Sequence, residues 1–466
     1  MVTTTRTGLT AGPALLLLDV GFTALAWPGA VLLALGHLPE ASRPGLLPLL
    51  LYPGGYLLFL YALGLYRRDA LLETRKSMVR APLAAGLGML LASVAGALLP
   101  PPFGTPEATV LMVAALAAFV AAGFGARVAF FALRAHGAFR RRLLIIGAGH
   151  CAWELVLLLR REGRTLNYEV TLVQSPAMGA VEPRLTADPE NRILVVEDGF
   201  LAIARRAGAD QIVVAPDDRR GLDMMALLAC RTAGYPVYEY LQFLEKEIGR
   251  IDVKRLELGF LVFNEGFSFG PISRVLKRGL DMVASLGLLL FTAPFLLGAA
   301  LAVRLEDGGS CLYRQQRVTR GGRVFHILKL RTMRADAERA GAVWAAAKDP
   351  RITRIGQFLR RTRLDELPQL INVLRGDMSL VGPRPERPEF IRELAAKLPL
   401  YDARHLVKAG LTGWAQVNYP YGASLDDARS KLSYDLHYVK NHGILFDLLI
   451  LAQTLRVVLW PGNTVR

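Results

Sequence analysis

Cysteine is scarce in this chain, and histidine is not grouped in any way that builds a metal site. Cys151, Cys230 and Cys311 are spread over 466 residues and form no CxxC pair. The histidines between 326 and 442 match no ligand spacing. The sequence therefore argues against a disulfide framework and a zinc site, and it gives no sign of an oxidising compartment.

Acidic residues are also in the minority, with 40 Asp and Glu against 56 Lys and Arg, a formal net charge of +16. A basic chain suits nucleic acid, an anionic membrane leaflet or phosphorylated substrates. Hydrophobic residues make up 52% of the chain, which is high for a soluble enzyme. Because no nucleic-acid-binding motif accompanies the charge, we expect a membrane and phosphorylated substrates as partners, and no nucleic acid.

Four long apolar runs come first, and their links differ in charge. The runs occupy residues 13–37, 45–66, 81–100 and 108–132. Each is near the ~20 residues needed to cross a bilayer. The link between the third and fourth runs has no Lys or Arg, whereas the second link and the stretch after the fourth run are basic. The positive-inside rule then predicts a four-transmembrane-helix unit, residues 1–136, with both ends in the cytoplasm.

Alternating strand and helix patterns follow in residues 137–270. Leu143–Ile146 reads as a buried strand, and further strands are expected near 170–174, 192–197, 211–215 and 235–240. Such alternation predicts a Rossmann-like α/β domain with a parallel sheet, ending in a connector. Gly147 and Gly149 form a turn typical of dinucleotide sites, so NAD or another nucleotide is one interpretation. Because Gln174 replaces the usual acidic residue, we favour a regulatory or structural domain.

A fifth apolar run, Leu280–Val303, contains Pro294 and precedes a basic region. A straight crossing would place residues 304–466 on the side that positive charge avoids. A re-entrant helix at about 280–303, kinked at the proline, avoids that conflict, with Lys277 and Arg278 at the headgroups. An ordinary kinked span is the alternative. The final run, Ile444–Trp460, contains charged residues and is expected to be interfacial or packed.

Asp365 and Glu366 form the densest candidate site. Pro368 follows them, which places the carboxylates at or just before a helix N-terminus, where they could be mere caps. With Arg363 and other arginines beside them, they could instead hold Mg²⁺ and a pyrophosphate. A carboxylate can also act as a nucleophile. Downstream, Arg384 lies between two prolines, which suits a rigid phosphate donor as well as a simple loop.

Residues 272–460 resemble the bacterial sugar transferases, also called monotopic phosphoglycosyl transferases. The matching stretches are KRGLD (277–281), YRQQRV (313–318), FHILKLRTM (325–333), residues 349–385 and AGLTGWAQV (409–417). They occur in the family's order, with Pro294 among them, and the region 272–460 that contains them is about 40% of the chain. One departure is the segment 319–322, Thr-Arg-Gly-Gly, where the family has a glycine after the QR segment. We interpret it as a small loop shift.

The resemblance implies a mainly α catalytic domain, residues 271–466, that moves a sugar-1-phosphate from a UDP-sugar to undecaprenyl phosphate. Asp365 resembles the nucleophile that expels UMP and carries the phosphosugar, and Glu366 resembles its dyad partner; both would hold Mg²⁺. The resemblance also implies phosphate- or substrate-binding roles for five further residues. These are Arg384, Lys329, Arg331, Arg317 and Gln316.

The N-terminal half resembles that of long family members that begin exopolysaccharide, capsule or O-antigen synthesis. This resemblance implies a homodimer in the bacterial inner membrane, with the Rossmann-like and catalytic domains on the cytoplasmic face. Two other interpretations stay open, namely a nucleotide-sensing scaffold without catalysis and a membrane-tethered, NAD-dependent sugar-nucleotide dehydratase. The second would need a further Gly-rich motif and a YxxxK pair in the C-terminal half, and neither is present. The sequence does not name the sugar.

Overall fold

The computed structural model describes the chain in two compact units, 1–248 and 249–466. The residues it describes are 11–36, 46–66, 68–97, 106–162, 167–196, 199–256, 266–267, 270–334, 351–420, 422 and 424–459. The boundary between the units falls before the predicted boundary at 270. Residue Gly249 belongs to the second unit, where its carbonyl accepts a 2.6 Å hydrogen bond from Trp414 Nε1. The predicted division into three domains stays a prediction.

All four predicted N-terminal runs are helices. They are α1 (Ala11–Leu35), α2 (Leu46–Ala62), α4 (Thr74–Ala97) and α5 (Pro106–Ala135), with a short α3 (Arg68–Leu72) before α4. Helices α1, α4 and α5 are long and apolar enough to cross a membrane, whereas α2 has 17 residues. The chain is thus a membrane protein by the length and composition of its helices.

Small residues and an internal ion pair join these helices. Gly55 on α2 and Gly88 on α4 bring the two backbones together, since a Cβ on Gly88 would lie 2.7 Å from the Tyr56 nitrogen. Such close approach is how membrane helices associate without a hydrophobic driving force. Arg127 on α5 pairs with Asp19 on α1, and both side chains are fully buried. This ion pair joins α1 to α5, the first and last of the four predicted membrane helices.

A five-stranded, all-parallel sheet completes the first unit, in the order β3-β2-β1-β4-β5. Its strands are β1 (Arg140–Ile146), β2 (Asn167–Gln174), β3 (Asn191–Val195), β4 (Gln211–Val214) and β5 (Val237–Glu239). The helices are α6 (His150–Glu162), α7 (Pro183–Thr186), α8 (Gly199–Ala207), α9 (Met224–Thr232) and α10 (Tyr240–Ile248). Strand order reverses between β1 and β4, so a crevice is expected there, beside the Gly147 turn. The predicted parallel α/β sheet is confirmed.

The second unit begins with α11 (Pro271–Asp307), a continuous 37-residue helix that is a fourth candidate span. Two hairpin strands follow, β6 (Leu312–Val318) and β7 (Val324–Leu330). The rest comprises α12 (Arg354–Thr362), α13 (Gln369–Arg375), β8 (Ser379–Val381), α14 (Pro388–Lys397), β9 (Gly410–Thr412), α15 (Trp414–Asn418), α16 (Leu425–Asn441) and α17 (Ile444–Leu459). Helix α17 packs its buried Ile450 in the core. This agrees with the expectation that the final apolar run is interfacial or packed.

Candidate active site

The two carboxylates lie in a single turn of 3₁₀ helix, Leu364–Glu366, between α12 and α13. Arg363 makes the turn possible by adopting a left-handed backbone, φ 61°, at the end of α12. Pro368 then adopts helical angles and leads into α13. Asp365 and Glu366 thus lie just before the N-terminus of α13, as the sequence predicted.

Glu366 is held by two cations. Lys329 Nζ on β7 lies 3.0 Å from its Oε1, and Arg384 Nη2 donates to the same oxygen at 2.8 Å. Burial alone would raise the pKa of Glu366, but Arg384 and Lys329 hold it well below the ordinary value. Glu366 is therefore an anion that organises the positive charges around it.

Asp365 is different, because it is buried without a hydrogen bond to Oδ1. The residue is 8% exposed, and no described residue partners that oxygen. Burial first, and then the adjacent Glu366 charge, raise the pKa of Asp365 to about 6. A desolvated, unpartnered carboxylate is costly to keep, and such groups are concentrated at functional sites. Oδ1 thus keeps unused hydrogen-bond acceptor capacity at a buried position.

Asn372 fixes β7, and with it Lys329, against the helix that follows the dyad. Its Oδ1 accepts from the Leu328 backbone N–H at 3.0 Å, and its Nδ2 donates to the His326 carbonyl at 2.8 Å. The side chain is fully buried. Because both amide groups are used on one strand, the Lys329–Glu366 contact is set by the fold and not by two flexible side chains.

The loop that carries Arg384 is held by close backbone contacts and a buried ion pair. Gly382 has no room for a side chain, since a Cβ would lie 2.3 Å from the Lys408 carbonyl oxygen. Arg404 donates to the Arg384 carbonyl at 3.0 Å and to Asp435 at 2.8 Å. These contacts restrain the Arg384 backbone, which supports the prediction of a rigid donor.

The other predicted site residues lie in different places. Arg317 donates to the Pro385 carbonyl at 3.0 Å, so it braces the Arg384 loop. Gln316 is exposed on the opposite side of β6, as strand alternation requires. The Arg331 guanidinium lies against Gly309. Arg363 contributes its charge toward Asp365. Their substrate contacts stay predictions.

Sequence reasoning missed Arg360, Arg404 and Asn372 as parts of this site. Arg360 Nε donates to Thr332 at 2.9 Å, and its charge lowers the Asp365 pKa against the effect of burial. Asn372 was within the quoted stretch 349–385, as a polar residue at an inward helix position. Arg404 had no local signal, because its contacts with Arg384 and Asp435 join residues 20 and 31 positions away.

The Gly147 turn carries its own anion. Asp217 accepts from the backbone N–H groups of His150 at 2.7 Å and Cys151 at 2.8 Å, at the start of α6. A Cβ on Gly149 would lie 2.1 Å from an Asp217 oxygen, so this glycine makes room for the carboxylate. A dinucleotide would place its pyrophosphate on these same amides. The geometry favours the structural interpretation of Gly147 and Gly149.

Comparison with known proteins bears directly on the second unit. Residues 272–461 match the family model described as bacterial sugar transferase. Over 246 residues the chain is 39% identical to a UDP-N-acetylgalactosamine-undecaprenyl-phosphate N-acetylgalactosaminephosphotransferase of Aeromonas hydrophila, covering 52% of this chain and 57% of that protein. It is also similar to UDP-glucose:undecaprenyl-phosphate glucose-1-phosphate transferases of Caulobacter vibrioides and Escherichia coli.

The Caulobacter protein is 40% identical over 235 residues, 48% of this chain and 87% of that protein. The Escherichia coli protein is 40% identical over 185 residues, 39% of this chain and 40% of that protein. The chain therefore spans about half the length of the Aeromonas and Escherichia coli relatives, and nearly all of the Caulobacter one. By its motifs, its family match and these relatives, the chain belongs to the bacterial sugar transferase family.

Proposed function

We propose that this protein transfers a sugar-1-phosphate from a UDP-sugar to undecaprenyl phosphate, releasing UMP. The printed activities of the relatives support that donor and acceptor. The observation that carries the proposal is the partnerless Oδ1 of Asp365 beside a Glu366 held by Lys329 and Arg384. A non-catalytic scaffold has no need of a desolvated carboxylate in that setting.

The Asp365 oxygen would attack the β-phosphorus of the donor. A P–O bond to Asp365 forms as the bond to the UMP oxygen breaks, and UMP leaves with that electron pair. Undecaprenyl phosphate then attacks the same phosphorus, which frees the carboxylate and gives undecaprenyl-diphospho-sugar. Arg384 and Lys329 lie on the Glu366 side, where their positive charge can bind phosphate oxygens.

The dyad also fits Mg²⁺. Among the described residues no group of three or more His, Cys, Asp or Glu side chains converges. Mg²⁺ at phosphate-transfer sites is held by one or two carboxylates together with substrate phosphates, so it needs no larger set. Asp365 Oδ1 is buried and has no hydrogen-bond partner among the described residues, and Glu366 lies next in sequence. When bound, the ion would neutralise charge on the donor phosphates.

Contacts at both ends of α11 support a re-entrant placement. Near its start, Asp281 accepts from the Leu380 backbone N–H at 3.0 Å. Near its end, Val303 packs with Leu330 and Leu359. These positions are 22 residues apart, about 33 Å along a straight helix, roughly the thickness of a bilayer core. Contacts of one polar unit with both ends support a helix that enters and leaves the membrane on a single face.

In this arrangement the catalytic unit and the α/β sheet would face the cytoplasm, where nucleotide-sugars are made, at the inner membrane.

Lys277 and Arg278 do not extend to lipid as snorkelling would require. Lys277 pairs with Asp447, and Arg278 donates to the Val373 carbonyl at 2.6 Å. The α/β domain would be Rossmann-like by strand order and structural at its glycine turn, and the protein would be a homodimer that begins exopolysaccharide, capsule or O-antigen synthesis.

The test is a mass measurement in the absence of the lipid acceptor. Purified protein with Mg²⁺ and a panel of UDP-sugars should release at most one UMP per chain with the correct donor. The same sample should carry a phosphosugar on the peptide that contains Asp365. Adding undecaprenyl phosphate should remove the adduct and restore turnover.

Asp365→Asn is the matched control, since it keeps the shape and removes the charge. This variant should carry no phosphosugar and should not release the single UMP per chain expected of the wild type. UMP release without any adduct on the wild type would refute the covalent route but leave the transferase standing. No UMP with any donor, in the presence of lipid acceptor, would sink the activity itself.

A further inference from the structure

A second basic site lies at the tip of the β6–β7 hairpin. The pocket there has a volume of about 370 Å³ and combines the hairpin turn with the end of α13. Its lining residues are Thr319, Arg320, Gly321, Arg323, Gly376, Asp377 and Lys408. The hairpin turn is the segment in which the sequence departs from the family pattern, and Gly321 and Gly322 both have positive φ there.

The cations at this pocket outnumber the acids. Arg323 is paired with Asp377 at 2.9 Å. Arg320 and Lys408 have no hydrogen-bond or ion-pair partner among the residues that the structure describes. The Arg278 guanidinium adds a further positive charge, because its Nη2 lies 3.6 Å from the position a Cβ on Gly376 would take.

Lys408 brings a second positive charge close to the Arg278 guanidinium. Its Nζ also lies 3.6 Å from that Cβ position on Gly376, so the ammonium and the Arg278 guanidinium converge over one glycine. Burial, followed by the Arg278 charge, lowers the pKa of Lys408. The Asp281 charge offsets part of this effect, but the ammonium has no hydrogen-bond acceptor among the described residues, so a bound anion would stabilise it.

The pocket is separate from the reacting carboxylates. Gly376 is ten positions after Glu366 along turn and helix, about 15 Å at the helical rise. Along β7, Arg323 and Lys329 are six residues apart, about 20 Å. One donor diphosphate cannot occupy both places. Arg278 also lies immediately before the apolar run 280–303 of α11, and this boundary is where a membrane helix meets headgroups.

We propose that this pocket binds a phosphate-bearing anion at headgroup level, distinct from the phosphates at Asp365. Two sources share this chemistry, the headgroup of an anionic lipid and free phosphate. Phosphate oxygens would accept from Lys408 and Arg320, neither of which has a hydrogen-bond or ion-pair partner among the described residues.

The test uses the full chain in detergent, with bound phosphatidylglycerol counted by native mass spectrometry. The double variant Lys408→Met/Arg320→Gln should bind the lipid roughly tenfold more weakly or worse, since each cation near a membrane surface contributes about 1 kcal/mol. Arg320→Gln alone is exposed and unpaired, so it reports on the site without disturbing the fold. Arg392→Gln on α14, also exposed, is the charge-matched control and should bind like wild type.

Inorganic phosphate distinguishes the sources. Lipid binding that millimolar phosphate leaves unchanged assigns the site to a headgroup, and displacement by phosphate assigns it to the free anion. Equal affinity of wild type and double variant for both probes would overturn the site. A loss of UMP release in Arg320→Gln, with lipid binding intact, would also overturn it, because the pocket would then belong to the reacting site. Lipid binding needs no turnover, so this result is independent of whether the proposed reaction is correct.

Discussion

Two aspartates in this chain lie close to the start of a helix, and they have opposite environments. Asp217 accepts two backbone N–H bonds at the start of α6. Asp365 precedes α13 by one turn, is buried, and leaves Oδ1 without a partner. A satisfied carboxylate stabilises a fold, whereas an unsatisfied one costs stability and is available for chemistry. The presence or absence of hydrogen-bond partners, and not the position near a helix, distinguishes the structural Asp217 from the reactive Asp365.

The largest difference between them should be in activity. Asp365→Asn should lower UMP release with the correct UDP-sugar at least about 10³-fold, because no group remains to form the bond to phosphorus. Asp217→Asn, the matched change at the satisfied site, should leave the rate within about twofold, since Asn also caps helices. A steady-state UMP assay on both variants checks this. Equal losses at the two positions would remove the contrast between them.

Stability should change in the other direction. A folded pKa raised from 3.8 to about 6 means that the ionised Asp365 costs folding free energy above pH 6. Removing the charge in Asp365→Asn should recover up to about 3 kcal/mol, at 1.36 kcal/mol per pKa unit. The gain should be absent below pH 4, build between pH 4 and 6, and stay constant above. Thermal melts of both proteins across that range measure it; a variant less stable than wild type at pH 7 contradicts the burial argument.

The pH profile of the wild type tests the same carboxylate without a mutation. If Asp365 must be ionised to attack, kcat/KM should fall tenfold per unit as pH drops below about 6. Glu366, whose pKa lies well below the ordinary value, should contribute nothing in that range. A profile that stays flat down to pH 5 would mean that neither acid is the titrating nucleophile. The donor must be saturating in one series and limiting in another, so that binding and chemistry are separated.

Of these two aspartates, the sequence singled out Asp365 but not Asp217. The helices, the parallel strands and the Asp365–Glu366 pair follow from apolar runs, glycine turns and local spacing, which act over a few residues. The partners of these acids do not. Asp217 reaches α6 from 66 residues away, and Lys329 reaches Glu366 from 37. Contacts at that separation depend on how the elements pack. The sequence therefore predicted the glycine turn, but not that the Asp217 carboxylate would occupy the amides beside it.

The smallest expected effect is local, at the satisfied aspartate. Asp217→Ala frees the His150 and Cys151 amides, and loss of a helix cap costs about 1 kcal/mol. Amide exchange in the first turn of α6 should then become roughly fivefold faster, since opening follows that free energy. Asp217→Asn should recover part of the protection, because its single amide oxygen can accept from only one of the two N–H groups. If Asp217 fills the place of a phosphate, inorganic pyrophosphate should slow exchange at these amides in Asp217→Ala and not in wild type. Protection of the wild type by NAD or pyrophosphate would instead show that the turn accepts a nucleotide despite its own carboxylate.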